Sequence, residues 1–348
     1  SPDRNSAPDD AGTTVTARAT RTNTKTSSTN GKFLDTSVSL RDYVRGTRPR
    51  RTARESSYHM KRRLDGTKSN GADEPCALRR YSVVYYRAKA SPQEQPMRKI
   101  AVALTKGGVG KTTTAVNLAA GLALAGQNVL LIDVDTQGQA GRSLGVTASG
   151  GLAELVAGEG APEQLATPAR DNLAVLAGGK SLAGLKRVIA RKDFGGERTL
   201  AEALVALDGR YDYVIVDTAP GWDVLTVNVL FYVDEVLAPV SLEVMTLQGL
   251  MEFSQSMTDI QRYRDGLALR YVVPTFMDRR VRKSEEILAQ LHTYFPGQTC
   301  EPIRYNVRLS EAPGYRQHIF EYAPRSAGAE DYGRLVERIM QDDAQGNA

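Results

Sequence analysis

Cysteine is almost missing from this sequence, with Cys76 and Cys300 alone in 348 residues. Neither belongs to a Cys-x-x-Cys pair, which excludes a disulfide scaffold, a cysteine-based zinc module and a single-chain iron–sulfur ligand set. The three histidines, His59, His292 and His318, share no metal-ligand spacing. The stretch 112–132 carries no charge and has the length of a membrane span. Gly126-Gln127-Asn128 interrupts it, and threonines and asparagines break its polarity pattern, so a strand–helix–strand reading fits better. No apolar run follows the N-terminus, which excludes a secretory signal. Asp3, Asp9 and Asp10 are too acidic for a transit peptide. A reducing cytoplasm is the expected compartment.

The charge is unevenly distributed. The whole chain has a formal net charge of +5, but residues 1–96 sum to +9 and residues 97–348 to −4. The first part is rich in Ser, Thr, Arg and Asn and has scattered large apolar residues. It cannot offset a backbone ordering cost of about 1–2 kcal/mol per residue, so disorder is expected. Its basic runs, Arg48-Pro49-Arg50-Arg51 and Lys61-Arg62-Arg63, read either as a solvated tail or as contacts to an anionic surface. Tyr81–Tyr86 has the composition of a strand with no partner strand nearby. Met97 has the look of a translation start, so residues 1–96 are expected to be a leader or extension outside the folded domain. The expected organisation is 1–96 extension, 97–341 folded domain and 342–348 flexible acidic tail.

From Lys99 onward the pattern is regular. Apolar runs at 100–104, 129–132, 173–176, 213–216, 235–240 and 269–273 alternate with helical patterns at 112–125, 181–192, 199–207, 246–263, 284–294 and 326–340. Near-continuous apolar strands separated by helices predict an α/β, doubly wound, mostly parallel sheet with helices on both faces.

Thr105-Lys106-Gly107-Gly108-Val109-Gly110-Lys111-Thr112-Thr113 lies between the first strand and the first helix. Its glycines let backbone N–H groups turn inward around phosphate oxygens, and the helix N-terminus adds partial positive charge. In such a P-loop, Lys111 sits on the β- and γ-phosphates and the Thr112 hydroxyl ligates Mg²⁺. The usual pattern has glycine where Thr105 stands, and it lacks a lysine at position 106. A lysine at the mouth of its own loop is better placed to reach a nucleotide in a second subunit.

This string resembles the deviant Walker A motif of the ParA/MinD superfamily, whose nucleotide is sandwiched between two subunits. The resemblance implies ATP and Mg²⁺ as cofactors and an ATP-dependent homodimer. It implies that Lys106 acts across the dimer and that Gly107 lies at the close subunit contact. Leu131-Ile132-Asp133-Val134-Asp135-Thr136-Gln137-Gly138 and Tyr213-Val214-Ile215-Val216-Asp217-Thr218-Ala219-Pro220 match two further family motifs. By position, Asp133 supports Mg²⁺ and the switch loop, Asp135 orients the attacking water and Asp217 holds a Mg²⁺-bound water. The family often has Pro-Pro where Ala219-Pro220 stands, which leaves the shape of that loop open.

Tyr305-Asn306-Val307-Arg308-Leu309-Ser310-Glu311-Ala312-Pro313 and Tyr322-Ala323-Pro324-Arg325-Ser326-Ala327 resemble the Soj-like ParA partition ATPases over nearly all of 97–340. The resemblance places Asn306 near the nucleotide. It implies a ParB-type centromere-binding partner, and non-specific double-stranded DNA contacts through Arg279, Arg280 and Arg308 on the nucleoid. Arg282, Lys283, Arg304 and Arg316 are expected to enlarge that patch. Lys186-Arg187 and Arg191-Lys192 form a second basic cluster, which reads equally as a solvated helix face or as a contact surface. A related cargo-positioning ATPase would use the same chemistry and stays open. A MinD-like membrane switch needs a basic amphipathic C-terminal helix, whereas this chain ends Gln341-Asp342-Asp343-Ala344-Gln345-Gly346-Asn347-Ala348. A membrane is therefore not expected as a partner. Residues 1–96 lack the paired helices of an operator-reading domain.

Overall fold

The computed structural model describes residues 96–278 and 280–345. The expected extension, the strand at Tyr81–Tyr86, Arg279 and residues 346–348 lie outside the described residues. Seven strands form one sheet: β1 (Arg98–Val102), β2 (Val129–Asp133), β3 (Ala166–Arg170), β4 (Leu173–Leu176), β5 (Tyr213–Asp217), β6 (Glu235–Ser241) and β7 (Ala268–Thr275). Their order is β3-β4-β2-β5-β1-β6-β7. Every neighbouring pair is parallel except β3–β4. Every residue of β2, β5 and β6 is buried, which is why these strands read as unbroken apolar runs rather than as alternation.

Seven helices carry the argument: α1 (Lys111–Leu124), α2 (Gln139–Ser143), α3 (Leu182–Ala190), α4 (Val224–Tyr232), α5 (Val244–Gln261), α6 (Arg282–Tyr294) and α7 (Ala327–Ala344). Successive strand residues point to opposite faces, and two cores follow. On one side Ile100, Val102, Leu131 and Ile215 pack with Leu118 and Leu122 of α1 and Leu335 and Ile339 of α7. On the other, Ala101, Leu130, Ile132 and Val216 pack with Leu185 of α3, Val229 of α4 and Leu250 of α5. The uncharged stretch 112–132 is α1, a turn and β2. No helix among the described residues is long and apolar enough to cross a membrane.

Three features depart from the sequence expectation. The antiparallel edge strand β3 (Ala-Thr-Pro-Ala-Arg) has no apolar run to announce it. It pairs along one side only, and an edge tolerates its proline, with a register shift between Pro168 and Arg170. Helix α4 is apolar nearly all round, so no 3.6-residue stripe marks it. Its start is set by Asp223, whose carboxylate accepts from the N–H groups of Leu225 and Thr226. Helix α7 runs to Ala344, past the expected end at Met340. Asp342 and Asp343 are tied to the sheet, accepting from the hydroxyls of Tyr271 (3.0 Å) and Tyr213 (2.9 Å). Between them Arg98 is buried and gives two hydrogen bonds to Glu235 (2.8 and 2.6 Å) and one to the Ile339 carbonyl (2.8 Å). The tail expected from residue 342 is therefore helical through Ala344.

His318 is buried beside α1, at the start of the short helix Ile319–Tyr322, and its Nδ1 has no partner. Burial pushes its pKa down to about 4, helped by Arg170 and opposed by Glu321. The folded state therefore binds fewer protons than the unfolded chain below the ordinary histidine value. Stability is complete above pH 6.5 and falls as pH drops toward 4, by on the order of 3 kcal/mol from this group. Urea unfolding at pH 7.5 and pH 4.5 should show a smaller acid loss in His318→Gln than in the parent. Equal losses would show that His318 does not control the acid limb.

Candidate functional site

The sheet order places β2, β5 and β1 side by side, so the loops after these strands converge at one edge. The Thr105–Gly110 loop follows β1, the Asp133–Gly138 loop follows β2 and the Asp217–Asp223 loop follows β5. Ligands of open α/β sheets sit at such carboxyl ends.

In the first loop, Gly108 (φ 75°) and Gly110 (φ 87°) take left-handed conformations that side chains resist. They turn the chain into α1. Lys111 is buried, and its Nζ donates to the Lys106 carbonyl at 2.8 Å. Burial lowers its pKa, while Asp217 and Asp135 work against the shift. The loop is fastened from behind by β7, where the Thr275 hydroxyl donates to the Val109 carbonyl at 3.0 Å. Lys106 is different: it is exposed, and its amine has no partner among the described residues. Thr112 and Thr113 are half-buried at the mouth of α1. A cavity of about 360 Å³ opens beside them, lined also by Asn117, Arg142, Leu309 and Pro313.

Asp133 and Asp217 are register partners on adjacent strands, and both are fully buried. Their surroundings differ. Asp133 Oδ1 accepts from the Asp135 N–H and Oδ2 from the Ala140 N–H, both at 2.9 Å. These bonds brace the loop after β2 and leave each oxygen one further lone pair. Burial nevertheless raises its pKa to about 6. Neither oxygen of Asp217 has a full hydrogen bond. Burial and the neighbouring Asp133 raise its pKa well above the carboxylate range, while the Thr112 hydroxyl and Lys111 favour its ionised form. A buried carboxylate without a full hydrogen bond is costly unless further positive charge joins it. The hard oxygen donors of Thr112 and Asp217 thus fit Mg²⁺. Asp133 braces the loop after β2 through both of its oxygens and remains a candidate beside this pair.

Asp135 is half-buried, with Oδ1 accepting from the Gln137 N–H at 2.9 Å and its carbonyl accepting from Gly138 and Gly179. The second of these contacts was not anticipated from sequence. The turn Ala177-Gly178-Gly179 after β4 is pressed against the switch loop, and a Cβ at Gly178 would meet the Asp133 carbonyl at 2.5 Å. The only signal for it was the glycine pair after an apolar run. The open question of the Ala219-Pro220 loop is answered by the Gly221 N–H, which donates to the Thr105 carbonyl at 2.9 Å and ties this loop to the phosphate loop.

The C-terminal motif folds as the helical turn Val307–Glu311. Asn306 caps it, its Oδ1 accepting from the Arg308 N–H at 2.9 Å, so this oxygen is engaged in the cap. The Tyr305 N–H donates to the Met277 carbonyl at 3.0 Å, which sets the segment bearing Arg280 beside the one bearing Arg308. Both arginines are exposed; Arg280 pairs with Asp278 at 2.7 Å, and Arg308 with Glu311 at 2.9 Å and with the Tyr322 hydroxyl. Arg282 and Lys283 are exposed nearby, at the start of α6. Arg304 leaves the expected patch, because it is bound to the buried Asp331 (2.6 Å) and to Glu330 (2.8 Å).

A family model described as an AAA domain matches residues 97–268. The chain is 38% identical to the chromosome-partitioning ATPase Soj of Thermus thermophilus over 246 residues, covering 70% of this chain and 96% of that protein. It is 34% identical to the chromosome partitioning protein ParA of Myxococcus xanthus over 252 residues, covering 71% and 89%. Among solved structures, cobyrinic acid a,c-diamide synthase of Mycobacterium smegmatis with bound ADP and magnesium superposes with a TM-score of 0.63 at 28% identity, covering 72% of this chain and 96% of that one. The septum site-determining protein MinD of Pyrococcus horikoshii, complexed with Mg-ADP, shares the fold with a TM-score of 0.60 at 22% identity, covering 70% and 96%. With the deviant phosphate loop, the two aspartate strands and the Asn306–Pro313 motif carried on one sheet edge, the chain belongs to the Soj/ParA family of chromosome-partitioning ATPases.

Proposed function

We propose that this chain hydrolyses ATP as a Mg²⁺-dependent homodimer that binds DNA without sequence preference and takes part in chromosome or plasmid partition with a ParB-type partner. The observation that carries the reading is the contrast between the two lysines of the phosphate loop. Buried Lys111 is held against its own loop, while Lys106 stands exposed at the mouth with no partner among the described residues. In the reading proposed, Gly107, Gly108, Val109, Gly110 and Thr113 surround the phosphates and Lys111 neutralises the β- and γ-phosphates. Mg²⁺, which Thr112, Asp133 and Asp217 would hold, supplies charge neutralisation to the phosphates when bound. Asp135 orients the water, and Lys106 reaches across to the nucleotide of a second copy. Phosphoryl transfer depends mainly on positioning and electrostatics, and a cation delivered in trans is worth about 10³–10⁵ in rate. Turnover should therefore be slow until assembly and a partner complete the site.

DNA contact is assigned to Arg280 and Arg308, with Arg279 beside Arg280 in sequence. A mildly acidic domain needs such a concentrated patch, and dimerisation doubles it. For about four to six neutralised phosphates, log K should fall against log salt with a slope of roughly −4 to −5. Arg280→Glu should keep ATP binding, lose DNA retention and flatten that slope; normal DNA binding by this variant would show that the patch is misassigned. The decisive experiment is co-sedimentation of the full chain with DNA and with anionic liposomes, each without nucleotide, with ADP and with ATP. Retention on DNA in ATP alone is expected. Retention on liposomes instead would overturn the reading in favour of a membrane switch.

A further inference from the structure

Helix α3 touches both loops that flank the phosphate site. The turn leading into it lies against the β2 loop, with the Gly179 N–H donating to the Asp135 carbonyl at 3.0 Å. Further along the helix, Lys186 Nζ reaches Asp223 Oδ2 at 2.5 Å. Asp223 ends the loop that starts at Asp217 and caps α4. A displacement of α3 is therefore transmitted at one end to Asp135 and at the other to the loop of Asp217.

The core side of α3 is Leu182, Leu185 and Ile189. Its outer side exposes Arg187, Val188 and Arg191, and Phe194 follows with 94% of its surface exposed. Residues 180–198 hold six basic and two acidic residues, in a domain whose net charge is −4. Two of the basic groups serve the fold, Lys186 through Asp223 and Lys192 through the Thr199 hydroxyl at 2.9 Å. Arg187 and Arg191, one helical turn apart, have no side-chain partner among the described residues. An exposed phenylalanine forgoes about 1.5–3 kcal/mol of burial, and this one follows Arg191 by three residues.

We propose that this face of α3 is a docking surface for an acidic peptide segment of a partner protein. The partner's carboxylates pair with Arg187 and Arg191, and its apolar side chains cover Val188 and Phe194. Docking changes the rate of ATP hydrolysis by shifting α3 against the two loops it bridges, a consequence that rests on the ATPase reading above. A peptide fits better than DNA. A phosphate backbone would leave Val188 and Phe194 wet, and the two lysines that would extend a phosphate track are already engaged.

The test uses the full chain and a fluorescein-labelled peptide of Glu and Asp with Leu and Phe at helical spacing. The comparison probes are the same peptide with Lys in place of its acids, a short DNA duplex and phosphatidylglycerol vesicles. The acidic peptide should bind by anisotropy, and binding should weaken on the order of tenfold in Arg187→Glu/Arg191→Glu and again in Phe194→Ser. Both variants should keep peptide-free ATP turnover. Hydrogen exchange should show α3 protected by the peptide and residues 134–140 and 218–226 altered. Lys186→Gln should still bind peptide but lose the change at 218–226. No peptide binding, or binding that these variants leave untouched, overturns the proposal. Loss of duplex or vesicle binding in the same variants, with the peptide inert, assigns the face to those ligands and also overturns it. If the parent chain fails to turn over ATP while the peptide binds as described, the ATPase reading fails and the docking surface stands.

Discussion

Lys111→Ala is expected to abolish ATP-dependent behaviour at its root. The side chain reaches back over the phosphate loop to the Lys106 carbonyl and is the cation that Asp217 and Asp135 face. Removing it takes a buried positive charge from the place where phosphate charge must be neutralised. The loss in turnover should be on the order of 10³-fold or more. Fluorescent-nucleotide titration should show ATP binding lost, and DNA retention should go with it. Lys106→Ala separates the two lysines. It should still bind ATP, because its amine holds nothing in its own loop, but it should remain a monomer by light scattering in the presence of ATP. ATP binding by Lys111→Ala at the parent's affinity would refute the assignment of the cradle.

The second large effect sets two adjacent aspartates against each other. Asp217→Asn replaces a buried carboxylate that has no full hydrogen bond. Without nucleotide or Mg²⁺ the variant should be more stable than the parent, by about 1–3 kcal/mol in urea unfolding, because it loses a carboxylate for which burial and the neighbouring Asp133 outweigh the help of Lys111 and Thr112. The parent gains stability from a bound ligand, about 2.7 kcal/mol at one hundred times its dissociation constant. The variant should lose most of that gain with Mg-ATP. Asp133→Asn should behave in the opposite way. Both Asp133 oxygens accept backbone N–H groups, so an amide NH₂ there opposes one of them and costs about 1–3 kcal/mol. If Asp217→Asn destabilised the nucleotide-free protein as Asp133→Asn does, the carboxylate would have a structural partner and the metal assignment would fall.

Much of the site was legible because its chemistry is local. A glycine-rich turn between an apolar strand and a helix needs no tertiary information to be read as a phosphate cradle. The aspartates that end β2 and β5 announce themselves in the same way. The six expected strands are all present, because a strand buried on both faces leaves a continuous apolar run. The edge strand Ala166–Arg170 left no such mark, since it is paired on one side only. Helix Val224–Tyr232 was hidden by being apolar on every side. Arg304 shows the same limit among charged residues. In sequence it is one more arginine near Arg308, and Asp331, which binds it, lies in a different helix.

By itself, then, the sequence determined the reaction class and the layered α/β architecture, since both are encoded in short strings and in periodicity. Only the tertiary structure decided how like residues divide their work. Asp133 and Asp217 have the same chemistry and the same register, yet one accepts two backbone N–H groups and the other has no full hydrogen bond. Lys111 and Lys106 share one loop, yet one is buried and the other is exposed with no partner among the described residues. The scarcity of cysteine and metal-spaced histidine excluded whole classes of site at the outset. The choice among the remaining carboxylates and lysines depended on burial and on the partners that distant segments supply, and neither is a property of neighbours in the chain.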